Sequence, residues 1–507
     1  MAQRDFPKRS HISALILAAA VGGLGSPAHA DMNLVDKDGL KVDAAVTLGL
    51  GAFASPNAQF GAGINSPTAA GAAGSRVTGN PQWIEGFVKP ELKAAYATSG
   101  AGTVYGAVSA VGAMTRGDGD ANFVSATYGN PEKIAIEDAY LGWKSGGVFS
   151  SLGEDAIDLS GGRQTFRIGD GFLIADGTAD VGERAAYWSF PRTAFKQTAI
   201  ARVNTDPVRG DVFMLKNDSS MSNTSSLDQA STTLYGANIE FFKHVPEKDG
   251  RATYDNRAHY VGLTYLHVYD ADSFGNFSYQ AGTPATVANT LTANRDGLNV
   301  YSAHAGGSFI PGYDDLTLHA QYALQRNNES NRKVNANAWY LEPAYTFSQA
   351  PWTPKVAYRY SHFSGDGNPN DNTDKSYDPL FYGSSRGYGT WYQGEIIGQY
   401  MIFNSNVNVN MLNLSVKPID PLKLSLIAYR FDWDKKAQFA NVTEAHAANE
   451  LDFVAEYTIS DNVSVAGALA AAQAGTGGKQ FLTNQQGTTD RVDQTWYLGE
   501  VSVIVKF

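Results

Sequence analysis

The chain ends Thr495-Trp496-Tyr497-Leu498-Gly499-Glu500-Val501-Ser502-Val503-Ile504-Val505-Lys506-Phe507. Taken in steps of two, Tyr497, Gly499, Val501, Val503, Val505 and Phe507 fall on one face. Trp496, Leu498, Glu500, Ser502, Ile504 and Lys506 fall on the other. Successive side chains of a β-strand point to opposite faces, so this is a strand with one apolar wall and one mixed wall. An apolar strand left at a sheet edge invites association, and closing the sheet on itself removes the edge. The expectation is that this strand is the closing stave of a barrel, with Tyr497 and Phe507 as interfacial aromatics.

A terminal Phe preceded by alternating apolar residues resembles the C-terminal signature of bacterial outer-membrane β-barrels, the signal read by the barrel-assembly machinery. The start of the chain agrees. Arg4, Lys8 and Arg9 precede an apolar run from Ile12 to Leu24, and Ala28-His29-Ala30 supplies small residues around a cleavage point. That is the layout of a secretory signal peptide over 1–30, with a mature chain over 31–507. The run is shorter than the ~20 residues a spanning helix needs.

No cysteine occurs in 507 residues, which excludes disulfides, thiol chemistry and cysteine-based metal centres. Apolar residues make up 43% of the chain but are spread at every second position, and Gly is abundant at 52. Lipid outside and water inside demand that pattern. The net charge of −11 argues against a nucleic-acid partner.

Alternation recurs along the chain. Leu316, Leu318, Ala320, Tyr322 and Leu324 oppose Thr317, His319, Gln321 and Gln325. Leu451, Phe453, Ala455, Tyr457 and Ile459 oppose Asp452, Glu456 and Thr458. Candidate strands lie near 40–51, 82–98, 101–115, 133–145, 158–168, 194–204, 209–216, 232–243, 257–269, 296–308, 313–326, 335–348, 353–363, 404–417, 421–433, 448–459, 462–473 and 493–507. Short turns such as 98–100 and 418–421 alternate with long Gly/Asn/Ser/Asp-rich loops such as 169–193 and 364–403. Residues 391–403 have strand composition, but a strand there makes the count odd and moves short turns to the outer side. Single-chain bacterial barrels are even-stranded with short periplasmic turns. The expected fold is therefore all-β: a transmembrane up-and-down antiparallel barrel of about 18 strands, wide enough for an aqueous lumen.

Two stretches stand apart from this repetition. One is Gly161-Gly162-Arg163-Gln164-Thr165-Phe166-Arg167-Ile168-Gly169-Asp170-Gly171, followed by Arg184, Tyr187-Trp188 and Pro191-Arg192. The other runs Ser364-Gly365-Asp366-Gly367-Asn368-Pro369-Asn370-Asp371, then Tyr377 to Gly383, then Tyr388-Gly389-Thr390-Trp391-Tyr392-Gln393-Gly394-Glu395-Ile396. Together they resemble the alginate export family of outer-membrane barrels, over a region from about residue 80 to the C-terminus. The resemblance implies an outer-membrane channel whose lumen carries basic residues for an anionic polysaccharide.

The residues themselves point the same way. Arg163 and Arg167 share a face opposite Phe166 and Ile168, and at the lipid midplane each would cost roughly 2–4 kcal/mol. By the same step Lys196 and Arg202 share a face opposite Phe195, Ala199 and Val203, Arg359 opposes Tyr358 and Tyr360, and Arg430 opposes Tyr429 and Phe431. The expected pore lining is thus Arg163, Arg167, Lys196, Arg202, Arg359 and Arg430, whose guanidinium forks suit carboxylates. Each Arg has an alternative role, pairing with a lumen acid. Loop residues Arg184, Trp188, Arg192, Asp366, Tyr388, Trp391 and Tyr392 are candidates for narrowing the lumen. Asp366, Asn368, Asn370 and Asp374 offer oxygens of the kind calcium takes, but their spacing misses an EF-hand, so no metal is expected. No cofactor motif and no G-x-S-x-G or H-x-x-E-H pattern occurs, so the chain does not read as an enzyme.

These observations predict an outer-membrane channel for anionic solutes, with membrane lipid, lipopolysaccharide and the solute as partners. The solute is either an alginate-like polysaccharide or a small carboxylate. Two alternatives stand beside it: a non-selective or cation-preferring porin, and a surface adhesin or receptor with a plugged lumen.

Overall fold

The computed structural model describes residues 32–62, 64–65, 76–77, 79–121, 127, 129–179, 182–219, 231–244, 257–271, 295–329, 332–368, 370–383, 386–486 and 492–507. The leader expected over 1–30 lies outside them.

Eighteen staves form a ring of antiparallel neighbours. They are β1 Leu40–Ala54, β2 Gln82–Thr98, β3 Gly102–Gly117, β4 Glu132–Lys144, β5 Ile157–Gln164, β6 Phe195–Thr205, β7 Val208–Lys216, β8 Thr232–His244 and β9 Arg257–Ala271. Then follow β10 Asn299–Gly307, β11 Leu316–Asn327, β12 Lys333–Thr346, β13 Lys355–Phe363, β14 Val407–Ile419, β15 Leu422–Trp433, β16 His446–Ser460, β17 Val463–Ala474 and β18 Trp496–Lys506. Each pairs with its chain neighbours, and β1 pairs with β18 from Thr47↔Lys506 to Ala54↔Gly499. Just below, Phe507 and Val46 exchange two backbone N–H···O bonds of 2.9 Å. Below that, Met32–Lys37 folds back on Leu40–Ala44, covering the part of the β1 edge that β18 does not reach. No ladder edge is left along β1, as the closing-stave reading requires.

The walls sort by parity as the sequence predicts. On β11, Leu318 and Tyr322 are 38% and 48% exposed, while Gln321 and Gln325 are buried. On β16, Leu451, Phe453, Tyr457 and Ile459 face out, while Glu450, Asp452 and Val454 are buried. Apolar side chains exposed on this scale are favourable only against acyl chains. No helix among the described residues is long and apolar enough to cross a membrane; crossing is by strands.

Residues 391–403 join no stave. They form a buried stretch with one short helix, α1, Ile397–Tyr400. Two features escape the sequence pattern. Thr476–Gln486 is a helix, α2, inside an expected loop, with Phe481 packed on Trp433 and Phe439. The stave expected over 158–168 ends at Gln164. Gly162 has φ +126°, a conformation that L side chains rarely adopt, and the pairing of β5 with β6 shifts just beyond it. The described residues of 165–194 then leave the wall and enter the lumen.

Candidate permeation site

The lumen is occupied by the described residues of two segments, 165–194 and 376–406, which pair with each other. Ala175 N–H donates to Phe381 O at 2.7 Å, Phe381 N–H to Leu173 O at 3.1 Å, and Gly383 N–H to Gly171 O at 3.0 Å. Phe172 sits at the centre, with its ring 4.8 Å from Trp391, 5.5 Å from Tyr340 and 5.7 Å from Phe363. Trp391 Nε1–H donates to Asp170 O at 3.0 Å, fixing one segment's indole to the other's backbone. Burying each such ring contributes roughly 1.5–3 kcal/mol.

Inward side chains of the wall hold these segments by their backbone. Glu85 accepts the N–H of Ser189 at 2.8 Å, and Glu137 accepts those of Thr193 and Ala194, both at 2.8 Å. Glu450 accepts the N–H groups of Ile396 and Ile397 at 2.7 Å each, and Asp452 that of Glu395 at 3.3 Å. Gln325 makes a two-way bond with the backbone of Asp378 at 2.7 and 2.9 Å. Buried backbone polar groups need partners, and here strand carboxylates and amides supply them. Sequence reading missed this role for the wall acids, because no local motif links Glu450 to residues fifty positions away. The one available signal was the presence of acids at inward positions of otherwise apolar strands.

Arginines of the wall and of the inward segments pair with the remaining acids. Arg163 donates to Asp218 at 2.7 Å and lies 3.5 Å from Glu137. Arg184 clasps the same Asp218. Burial pushes the Asp218 carboxyl up, but the two guanidinium groups outweigh it and hold the group below its usual range. Arg202 donates to Asp211 at 2.6 Å. Arg359 stacks over Trp391 with 4.8 Å to the ring centroid, donates to Gly389 O at 2.5 Å and lies 3.4 Å from Glu342. Arg386, absent from the sequence expectation, bridges Glu342 at 2.6 Å and Asp170 at 3.2 Å.

Other expected residues lie elsewhere. Arg430 does not face the lumen: Ile427, Tyr429 and Phe431 are the buried, inward set, and the Arg430 side chain is 56% exposed on the outer face with Asp432 at 2.8 Å. At the rim of a barrel an outward Arg costs only about 0–1 kcal/mol, so the midplane penalty did not apply there. Lys196 does not share Arg202's buried face. The pairing shift at the start of β6 turns Phe195 inward against Phe381 and leaves Lys196 exposed. Arg167 lies past the end of β5, half-buried in the inward segment. Arg192 is buried and donates to Ala185 O at 2.8 Å. Asp366 stands apart from the inward aromatics, clasped by Arg332 in an outer turn, so the oxygen-rich run around it is organised by a guanidinium.

Trp188, Tyr388 and Tyr392 do come together. With Phe190 they line a cavity of about 330 Å³ between the two segments and the wall. Its polar lining is Asp176, Glu395, Gln399, Glu456 and Glu500. Glu395 is held well above the ordinary carboxylate range, first by burial and then by Glu500 and Asp452.

The family model described as alginate export matches residues 122–476, more than two thirds of the chain. The chain belongs to the alginate export family. No curated protein matches it. Among solved structures the family member resembles Acinetobacter baumannii OccAB2, with 11% identity and a TM-score of 0.53 over 92% of this chain and 98% of that one. It also resembles Pseudomonas aeruginosa OccK5 (OpdH), at 9% identity and TM-score 0.50 with the same coverage. A BenF-like porin from Pseudomonas fluorescens Pf-5 stands at 11% and 0.50, again over 92% and 98%. These likenesses show the fold, that of outer-membrane porins. Membership of the alginate export family and the closed ring of staves place the chain in the bacterial outer membrane, in contact with its lipid.

Proposed function

We propose that this family member is a passive outer-membrane channel for small anionic solutes bearing carboxylates. One observation carries the reading. The wall acids Glu85, Glu137, Glu450 and Asp452 are occupied as acceptors for backbone amides of the inward segments. Arg163, Arg184, Arg202 and Arg386 keep between 13% and 25% of their side chains open, beside acids they share. A carboxylate entering the lumen competes for guanidinium groups already placed, and the neighbouring acid takes each one back on release. Binding strong enough for entry and weak enough for exit is what conduction needs. A cavity of about 330 Å³ is at the small end of ligand sites, which range from roughly 300 to 1,000 Å³. Its volume admits one sugar or aryl ring, but its lining acids Asp176, Glu395, Glu456 and Glu500 do not attract a carboxylate, so the arginines outside it carry the anion reading; a polysaccharide strand requires the paired segments to part.

A second reading, cation preference, draws on the carboxylates around that cavity. Reversal potentials in planar bilayers under a salt gradient separate the two. The proposal expects anion bias that falls when Arg163, Arg184 and Arg386 are replaced together by Ala. Cation bias, or bias unchanged by the triple substitution, refutes it. An absence of single-channel conductance supports a plugged receptor instead.

A further inference from the structure

The outward face near the outer rim is polar along one arc. Strand register sets Asn299 beside Arg326, His362 beside Asn408, and Asn410 beside Arg430. All six point outward. Their chain neighbours Gln325, Ser361, Val407, Val409, Tyr429 and Phe431 are buried on the lumen side. One step toward the periplasm the same face carries Tyr265, Tyr358 and Tyr360, whose hydroxyls donate to Asn299 at 2.8 Å, Asn410 at 2.6 Å and Asn408 at 3.2 Å. Tyrosines with rings among acyl chains and hydroxyls in the polar layer mark the membrane interface, so the amide and guanidinium row sits at headgroup depth. The opposite arc is more apolar: Leu469, Tyr497, Ile84 and Met114 are exposed below the rim, and the polar residues above them include Gln473, beside Asn449, Gln82 and the Arg116–Glu132 pair.

We propose that the arc from β10 to β15 docks the phosphorylated sugar headgroup of an outer-leaflet glycolipid. The occupant follows from the vertical order of the face. Apolar side chains and tyrosine rings take acyl chains. Asparagine amides match sugar hydroxyls. Arg326 and Arg430 match phosphate, for which a planar fork is suited. Arg326 uses one Nη on Gln325 O at 2.7 Å, which fixes the guanidinium on the outer face. Arg430 shares its fork with Asp432, and His446 lies 3.2 Å from the same carboxylate, so the cationic end of the arc is preformed around one acid. A phospholipid headgroup offers phosphate without a sugar surface for the amides, and a second copy of this chain would oppose cation to cation.

The test is native mass spectrometry of the detergent-extracted barrel offered deep-rough lipopolysaccharide or phosphatidylglycerol. The expected result is retained lipopolysaccharide adducts, with retention reduced roughly tenfold in the Arg326→Gln/Arg430→Gln variant, the scale of losing charge-assisted bonds to phosphate. Arg116→Gln on the opposite arc leaves retention unchanged. Heat-modifiable migration and single-channel conductance report that both variants are folded. Equal retention of phosphatidylglycerol, equal loss with Arg116→Gln, no loss with the double variant, or self-association that the double variant abolishes, each overturns the proposal.

Discussion

Glu450 Oε2 accepts the backbone N–H of Ile397 at 2.7 Å, so a stave carboxyl closes the start of the helix that buries Tyr400 among Trp83, Trp188 and Trp496. The other oxygen takes Ile396 N–H at the same distance. Both oxygens of one side chain thus satisfy the two N–H groups that open the helix. Replacing Glu450 by Ala removes both bonds at a cost of roughly 1.5–3 kcal/mol each. Segment 391–400 should then detach from the wall while the barrel persists. Larger single-channel conductance and faster proteolysis between Tyr388 and Tyr400, with unchanged heat-modifiable migration, are the expected readouts.

The two inward segments should respond to pH in opposite directions. Docked Glu395 has a carboxyl raised above its ordinary 4.5 by burial and by Glu500 and Asp452, so docking is favoured while it holds its proton. That stabilisation is complete below the ordinary value and is lost as pH rises through the raised one. Asp218 is lowered from 3.8 by Arg184 and Arg163, so its contribution is complete above the ordinary value and is lost as pH falls through the lowered one. Conductance recorded from about pH 3 to pH 9 should therefore rise at both ends. Glu395→Gln should shrink the alkaline limb, which Glu395 shares with the adjoining Glu450, Asp452 and Glu500, and leave the acid limb in place, whereas Asp218→Asn should act on the acid limb.

Arg359 sets its guanidinium over the Trp391 ring and reaches Gly389 O, a pair of contacts that an ammonium on a flexible stem does not reproduce. Arg359→Lys keeps the charge yet should disturb segment 387–393. Trp391 fluorescence should shift toward the red, and anion bias should fall by less than in Arg359→Ala. Equal behaviour of the two variants would mean that only charge matters at this position.

Much of this fold was legible because lipid and water impose a two-residue period on every stave, which resumes after each turn or loop. Parity set the wall assignment of β11, β16 and β18, and loop-length alternation kept residues 391–403 out of the wall. Both signals are local to a strand, and both weaken where strands leave the bilayer. Arg430 escaped the lipid penalty because it stands at the rim, and Lys196 changed face because β6 begins with a pairing shift. What Glu85, Glu137 and Glu450 do was not legible: each meets backbone from a segment distant in sequence, and backbone amides carry no sequence mark. Arg386 was hidden for a related reason, since its partners Asp170 and Glu342 come from the opposing segment and from β12.

Gly171 joins the two inward segments. Its φ is +86°, and a Cβ there would press on the carbonyl of Gly383, whose own N–H donates to Gly171 O. Left-handed backbone costs an L residue roughly 1–2 kcal/mol, and the collision adds to it. Gly171→Ala should therefore open the contact between 171–175 and 381–383 without touching a stave. Phe172 would lose its place against Trp391 and Tyr340, and the lumen would widen. Liposome swelling with uncharged sugars of increasing size measures this directly: the size limit should rise in Gly171→Ala and stay put in Gly312→Ala. Gly312 also has positive φ but lies in a turn with open space around it. A size limit unchanged in Gly171→Ala would mean that the paired segments do not set the width of the channel.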